Sequence, residues 1–231
     1  MNDLASLQSA LHLSFRDPFV LQQALVHRSY INESPDSPLA SNERLEFLGD
    51  AVLGFVVAEE IFQRFPDLAE GELTKLRSAL VRGETLSRIA LSLGLGDYLY
   101  LGHGEEESGG RQRPRNLSCA MEAVIGAVLV DSGLDAARGF ILRLLEEDLE
   151  RAIEEKLVAD CKSRLQQIIQ SERRMTPVYR TVEEVGPDHA KTFTVEVMAG
   201  DATLGRGTGR SKRAAEMEAA REALEALTGG G

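Results

Sequence analysis

The segment Asn42-Glu43-Arg44-Leu45-Glu46-Phe47-Leu48-Gly49-Asp50, running into Ala51-Val52-Leu53-Gly54-Phe55-Val56-Val57, narrows what this chain can become more than any other stretch. At a helical period, Glu43, Glu46 and Asp50 fall at i, i+3 and i+7 on one narrow face, and Leu45, Leu48, Val52 and Val56 form the opposite stripe. Like charges at these spacings repel, so a helix that buries its other side keeps them only where something positive compensates. A solvated acidic face is the ordinary reading of such a helix. Here Arg44 is the only base nearby and points away from the carboxylate line, which leaves a hard cation such as Mg²⁺ as the compensation.

A second segment repeats the problem from the apolar side. Residues 117–130, from Leu117 to Val130, are apolar almost all round, the mark of an interior helix, yet Glu122 stands among them. A carboxylate there must be paired, neutral or metal-bound, because an isolated buried charge is too expensive. A structural ion pair with an arginine is the plain alternative; the unpaired carboxylates of the earlier helix favour the metal.

The chain has 231 residues, 43% of them hydrophobic, enough for one large domain or two small ones. The net charge of −11 speaks at first against a nucleic-acid partner, but it is uneven. From Asp160 onward eleven bases balance eleven acids, so the whole acidic excess lies before residue 160 and two regions of different character are expected. Cys119 and Cys161 lack metal-ligand spacing and suggest no disulfide framework. No basic and apolar leader and no run long enough to span a bilayer is visible, which makes a cytoplasmic location and no membrane partner the expectation.

The first region reads as successive helices over 3–13, 17–27, 42–65, 70–81, 84–93, 117–130 and 134–156. Asp17-Pro18 caps the second, and Ser41 or Asn42 caps the acidic one. Residues 34–38 and 102–110 read as loops, the latter with His103 as a loop residue, and no strand pattern appears. Leu157-Val158-Ala159-Asp160 reads as a joint. Beyond it the pattern becomes helix, strands, helix. Ser163, Gln166, Gln167 and Gln170 share a neutral face opposite Leu165, Ile168 and Ile169. That face suits the 2′-hydroxyls and base edges of an A-form minor groove, though an ordinary polar helix surface has the same composition. Strands follow at 177–185, 191–198 and around 203–207, the first two joined by Gly186-Pro187-Asp188-His189. The last helix opens at Arg210-Ser211-Lys212-Arg213, where backbone N–H groups and three bases make a phosphate site, and Met217, Ala220, Leu224 and Leu227 give it a packing stripe.

The motif Asn42–Asp50, the segment Gly102–Gly110 and the Glu122 helix, in that order, resemble the bacterial ribonuclease III family. The glutamine-bearing helix, the Pro187-Asp188-His189 loop and the basic helix start resemble a double-stranded RNA-binding domain. The resemblance covers essentially the whole chain. It implies an all-α endonuclease domain (1–156), a linker (157–160) and a small α+β (α-β-β-β-α) double-stranded RNA-binding domain (161–231). It further implies a homodimer through the nuclease domain and Mg²⁺ as cofactor, with Mn²⁺ able to substitute and no organic cofactor. By position Glu46, Asp50 and Glu122 match the family's metal-binding carboxylates. Asp50 and Glu122 are thereby catalytic as well, together with Glu43, which matches the acid at the subunit interface and the RNA-facing side of the catalytic valley. Ser163, Gln166, Gln167, Gln170, Pro187, His189, Arg210, Ser211, Lys212 and Arg213 are the expected RNA contacts. Glu216 falls where many eukaryotic versions carry a third lysine, which implies a weaker phosphate grip.

One position departs from the family pattern. Where an aspartate usually precedes the second-helix glutamate by three residues, this chain has Cys119, and a thiol is a poor Mg²⁺ partner. Cys119 could pack as a small apolar residue instead, with a water or Ser118 filling the vacancy. The chemistry these groups support is metal-assisted phosphodiester hydrolysis; the resemblance implies double-stranded RNA as its substrate, with 5′-phosphates, 3′-hydroxyls and short 3′ overhangs left behind. Precursor ribosomal RNA and other structured transcripts are the substrates the family implies. His12, His27, His103 and His189 lie in unrelated segments, so a histidine mechanism is not expected. The alternative is a non-cleaving, dimeric double-stranded RNA-binding protein, should Cys119 abolish metal binding.

Overall fold

The computed structural model describes residues 3–34, 37–187 and 190–228. The chain divides into two compact units, Met1–Leu149 and Glu150–Gly231. In the first unit the helices are α1 (Leu4–Leu11), α2 (Pro18–Ala24), α3 (Arg28–Glu33), α4 (Glu43–Arg64), α5 (Glu70–Val81), α6 (Gly83–Ser92), α7 (His103–Glu107), α8 (Pro114–Ser132) and α9 (Leu134–Leu144). Helix α10 (Glu146–Arg173) follows, then β1 (Val178–Val185), β2 (Thr192–Ala199), β3 (Ala202–Gly209) and α11 (Lys212–Thr228). The observed order is thus a helical unit followed by α-β-β-β-α.

The first unit is built around α4 and α8. Helix α8 buries eleven of its residues, and α2, α4, α6 and α9 all pack on it. Leu53, Val56 and Val57 of α4 and Met121, Val124 and Ile125 of α8 lie in one core. The two backbones nearly touch. A Cβ added at Gly49 would sit 1.7 Å from the Glu122 carbonyl oxygen, and one at Gly126 would sit 2.2 Å from that of Leu45. No side chain larger than hydrogen fits at either crossing point.

Several local readings are corrected. Asn42 precedes α4 without a side-chain cap; its Nδ2 donates instead to the Ala24 carbonyl at 3.2 Å, fastening the start of α4 to α2. The glycine-rich 102–110 segment contains α7, closed by Gly109 in the left-handed region, and the acids of its first turn suit a helix N-terminus. Helix α3 was not expected. The helix read over 134–156 breaks at buried Leu145 (φ −100°), and Glu146, Glu147 and Asp148 open α10. Residues 157–160, read as a joint, lie within α10. An isolated parallel bridge joins Val26 to Tyr100.

In the second unit the sheet has order β1-β2-β3, antiparallel throughout, with a bulge between Thr181 and Glu183. Leu165 and Ile169 of α10, Val197 and Ala199 of β2 and Ala219, Ala220 and Ala223 of α11 form its core. On the stripe of α11 that meets the sheet, Ala220 of the expected set is fully buried together with Ala219 and Ala223, while Leu224 and Leu227 pack half-buried against them and Met217 is half-buried. Gly205, Gly207 and Gly209 alternate on one face of β3, and Cβ atoms there would lie 2.5, 2.2 and 2.7 Å from atoms of α11. Larger stripes on either element would hold the two apart.

Candidate active site and nucleic-acid interface

The close crossing of α4 and α8 decides where the acids go. Gly49 separates Glu46 from Asp50, and Gly126 lies one turn beyond Glu122, so backbone contact at the glycines brings carboxylates from both helices together. Single ligand atoms of Glu46, Cys119 and Glu122 lie within 4.8 Å of one another, all half-buried. Asp50 is exposed and outside that group. Its charge nevertheless acts on the group: burial first, then the charges of Asp50 and Glu46, push the Glu122 carboxyl up to about 7, and Arg115 offsets this only in part. Among the described residues Glu122 makes no ion pair, so the arginine pairing considered from the sequence is absent there. Burial, then a hydrogen bond to Glu46, pushes the Cys119 thiol up to about 12. It is an S–H donor to Glu46 at neutral pH.

A cleft of about 270 Å³ adjoins the cluster, lined among others by His27, Glu43, Glu46, Arg115, Asn116 and Cys119. Glu43 is exposed at its rim and accepts a hydrogen bond from Ser41 Oγ at 2.9 Å. Neighbours that the sequence pattern does not single out shape the cleft. Glu105 of α7 accepts from Asn116 Nδ2 at 2.7 Å and pairs with Arg113, and the Asn116 bond is the chief reason its carboxyl is held below the usual range. Asn116 also donates to the Gly110 carbonyl at 3.0 Å, so α7 and the start of α8 are tied together one turn before Cys119. His27 Nδ1 accepts from the Ser29 amide at 3.2 Å, and burial lowers its pKa. Because Nδ1 accepts the Ser29 N–H, it is the unprotonated ring nitrogen of the neutral imidazole, and the Ser29 hydroxyl, which accepts from Gly102 N–H at 2.8 Å, donates a second hydrogen bond to it. The only sequence signal for this set was Glu105 within a run of glycines.

The donor set fits a divalent cation. Two carboxylates brought together without a matching base need one, and oxygen donors suit a hard ion. The thiol is the one donor that does not suit Mg²⁺.

In the second unit Ser163, Gln166, Gln167 and Gln170 are all exposed and together line one depression of about 250 Å³ on α10. Pro187 is exposed; His189 lies outside the described residues. Arg210, Ser211, Lys212 and Arg213 are exposed at the start of α11, where Ser211 Oγ caps the helix by accepting from Ala214 N–H at 3.1 Å. Lys212 pairs with Glu184 at 2.8 Å, which fixes the start of α11 beside the end of β1, close in sequence to Pro187. Glu216 plays a structural part, because it pairs with Lys162 of α10, whose ammonium lies 4.4 Å from the centre of the Tyr179 ring.

The fold and site define a two-unit protein in which a helical, acid-bearing nuclease unit precedes an RNA-binding unit. A family model described as Ribonuclease-III-like matches residues 17–149, and one described as a double-stranded RNA binding motif matches 161–227. The Ribonuclease 3 of Dehalococcoides mccartyi is 48% identical over 97% of this chain and 95% of its own length. That of Roseiflexus sp. is 51% identical over the same shares. The solved nuclease domain of a ribonuclease III from Campylobacter jejuni is 43% identical, with a TM-score of 0.59, covering 63% of this chain and 97% of that domain. This chain belongs to the ribonuclease III family of nucleases.

Proposed function

We propose that this protein hydrolyses double-stranded RNA with Mg²⁺, for which Mn²⁺ substitutes, leaving 5′-phosphates, 3′-hydroxyls and short 3′ overhangs. The observation that carries the reading is the gathering of Glu46 and Glu122, with Asp50 beside them, in a chain that also bears a double-stranded RNA-binding unit. Glu46, Asp50 and Glu122 hold the ion, and Glu43 stands on the RNA-facing rim of the same cleft. The bound cation supplies Lewis-acid activation of water and charge stabilisation at the phosphate. Water adds to phosphorus as the bond to the 3′ oxygen breaks, and that oxygen takes up a proton. The first unit cuts and the second holds the duplex, through Ser163, Gln166, Gln167, Gln170, Pro187 and His189 at the minor groove and Arg210, Ser211, Lys212 and Arg213 at the phosphates. Processing of precursor ribosomal RNA and other structured transcripts in the cytoplasm is the role that goes with it. Among the described residues no helix is long and apolar enough to cross a membrane.

The enzyme works as a homodimer through the nuclease unit. Phe47, Phe55 and Phe62 of α4 are 79%, 52% and 68% exposed and fall on one stripe. Three exposed phenylalanines on one helix face suit a self-complementary two-fold contact, and Phe47→Ala is expected to yield monomers by sedimentation. The non-cleaving reading keeps one supporting observation, the protonated Cys119 thiol among the acids. Incubating a long RNA duplex with Mg²⁺ or chelator separates the two. Cleavage by wild type, lost in chelator and in Glu122→Ala, supports the enzyme; cleavage seen only in Cys119→Asp selects the binder, and indifference to Glu122→Ala discards the site.

A further inference from the structure

Cys119 offers the cluster a donor of a different kind from its two neighbours. Its Sγ lies within the same 4.8 Å as the carboxylate oxygens of Glu46 and Glu122, on the helix that carries Glu122, at i and i+3. As a hydrogen-bond donor the thiol satisfies one of the two carboxylates and leaves the other uncompensated. As a ligand it would add one sulfur to the two carboxylate oxygens beside it. We propose that Cys119 ligates the metal directly, making this a mixed oxygen and sulfur centre that holds a borderline ion such as Co²⁺ or Zn²⁺ far more tightly than Mg²⁺. The inference rests on reading the cluster as a metal centre. On binding, the S–H bond breaks, the proton passes to solvent and a sulfur–metal bond forms; no oxidant or reductant is needed. Soft and borderline ions gain from a thiolate, whereas Mg²⁺ gains from oxygen alone and dehydrates reluctantly.

Co²⁺ titrated into the full chain reads this directly, because a sulfur ligand adds a thiolate-to-cobalt charge-transfer band in the near ultraviolet. The band is expected in wild type and in Cys161→Ser, which removes the other free thiol, and is expected to vanish in Cys119→Ser and in Glu122→Gln. In Cys119→Asp the band is absent, and the ratio of Co²⁺ to Mg²⁺ affinity falls by about tenfold or more, at least the loss usual for disturbing a group near a metal. Calorimetric Co²⁺ binding that requires Glu46 and Glu122 without the band would overturn the thiol ligand and leave the metal centre standing. Co²⁺ binding insensitive to Glu46→Gln and Glu122→Gln, again without the band, would overturn both. The spectrum of Cys161→Ser, which keeps only the Cys119 thiol, decides the point even where a variant at the cluster fails to fold: a band there supports the sulfur ligand and its absence overturns it.

Discussion

At two places in this molecule glycine lets a helix come into backbone contact with its neighbour, and the two contacts serve opposite ends. In the second unit Gly205, Gly207 and Gly209 receive the alanines of α11, and the one carboxylate beside the contact, that of Glu222, accepts from the Arg206 N–H of β3. Ser163, Gln166, Gln167, Gln170, Pro187, Arg210, Ser211, Lys212 and Arg213, the described groups expected to touch RNA, are exposed outside that contact. In the first unit Gly49 and Gly126 bring together helices that carry acids beside the crossing, so the same closeness concentrates like charge. Packing there acts against electrostatics, and in the proposed reading a bound cation offsets that cost. The second unit gains only cohesion.

The largest expected effect comes from breaking the first crossing. Gly49→Ala puts a methyl group 1.7 Å from the Glu122 carbonyl oxygen and should remove about 3 kcal/mol or more of stability in urea unfolding, with metal binding lost as well. Gly54→Ala on the same helix meets nothing within 4 Å and should be neutral or up to about 1 kcal/mol stabilising, the ordinary helix preference for alanine. Equal effects at both positions would dissolve the comparison. Gly207→Ala comes next, at about 1–3 kcal/mol, confined in calorimetry to the transition of Glu150–Gly231.

A subtler effect follows from Glu122. Its carboxyl is raised from 4.5 to about 7, so between those values the folded chain holds a proton that the unfolded chain has released. This group's contribution to stability therefore falls as pH rises from about 4.5 to 7 in chelator. Glu122→Gln should flatten that part of the pH profile of Tm, and saturating metal should do the same in wild type. No comparable feature is expected from the second unit's glycine contact. The smallest effect is at Lys212: Lys212→Ala should weaken duplex binding alike for all sequences and reduce the slope of log affinity against log salt by about 1.

The parts of this arrangement carried by local pattern were legible in the sequence. The acids of α4 announce themselves by helical spacing, Glu122 by standing in an apolar run, and the RNA-binding unit by the change of period after residue 160. What was not legible depends on partners distant in the chain. Nothing near Asn42 says that its side chain is claimed by Ala24, and nothing near Gly49 says that Glu122 lies against it. The α11 stripe was legible in part for a related reason: Ala220, Leu224 and Leu227 do pack on the core, but Ala219 and Ala223 are fully buried beside them because the glycines of β3 bring the two backbones together. Phe55 reads from sequence as part of an apolar run, and only the fold shows that it faces outward with Phe47 and Phe62.

The central claim is that the glycine crossing gathers acids from α4 and α8 around one cation. Soaking crystals of the full chain in Mn²⁺ and collecting anomalous diffraction tests it most directly. The account predicts a peak between Glu46 and Glu122 that disappears in Glu122→Ala. A peak elsewhere, or an empty cluster with Glu122 drawn into an ion pair with Arg115, would contradict it.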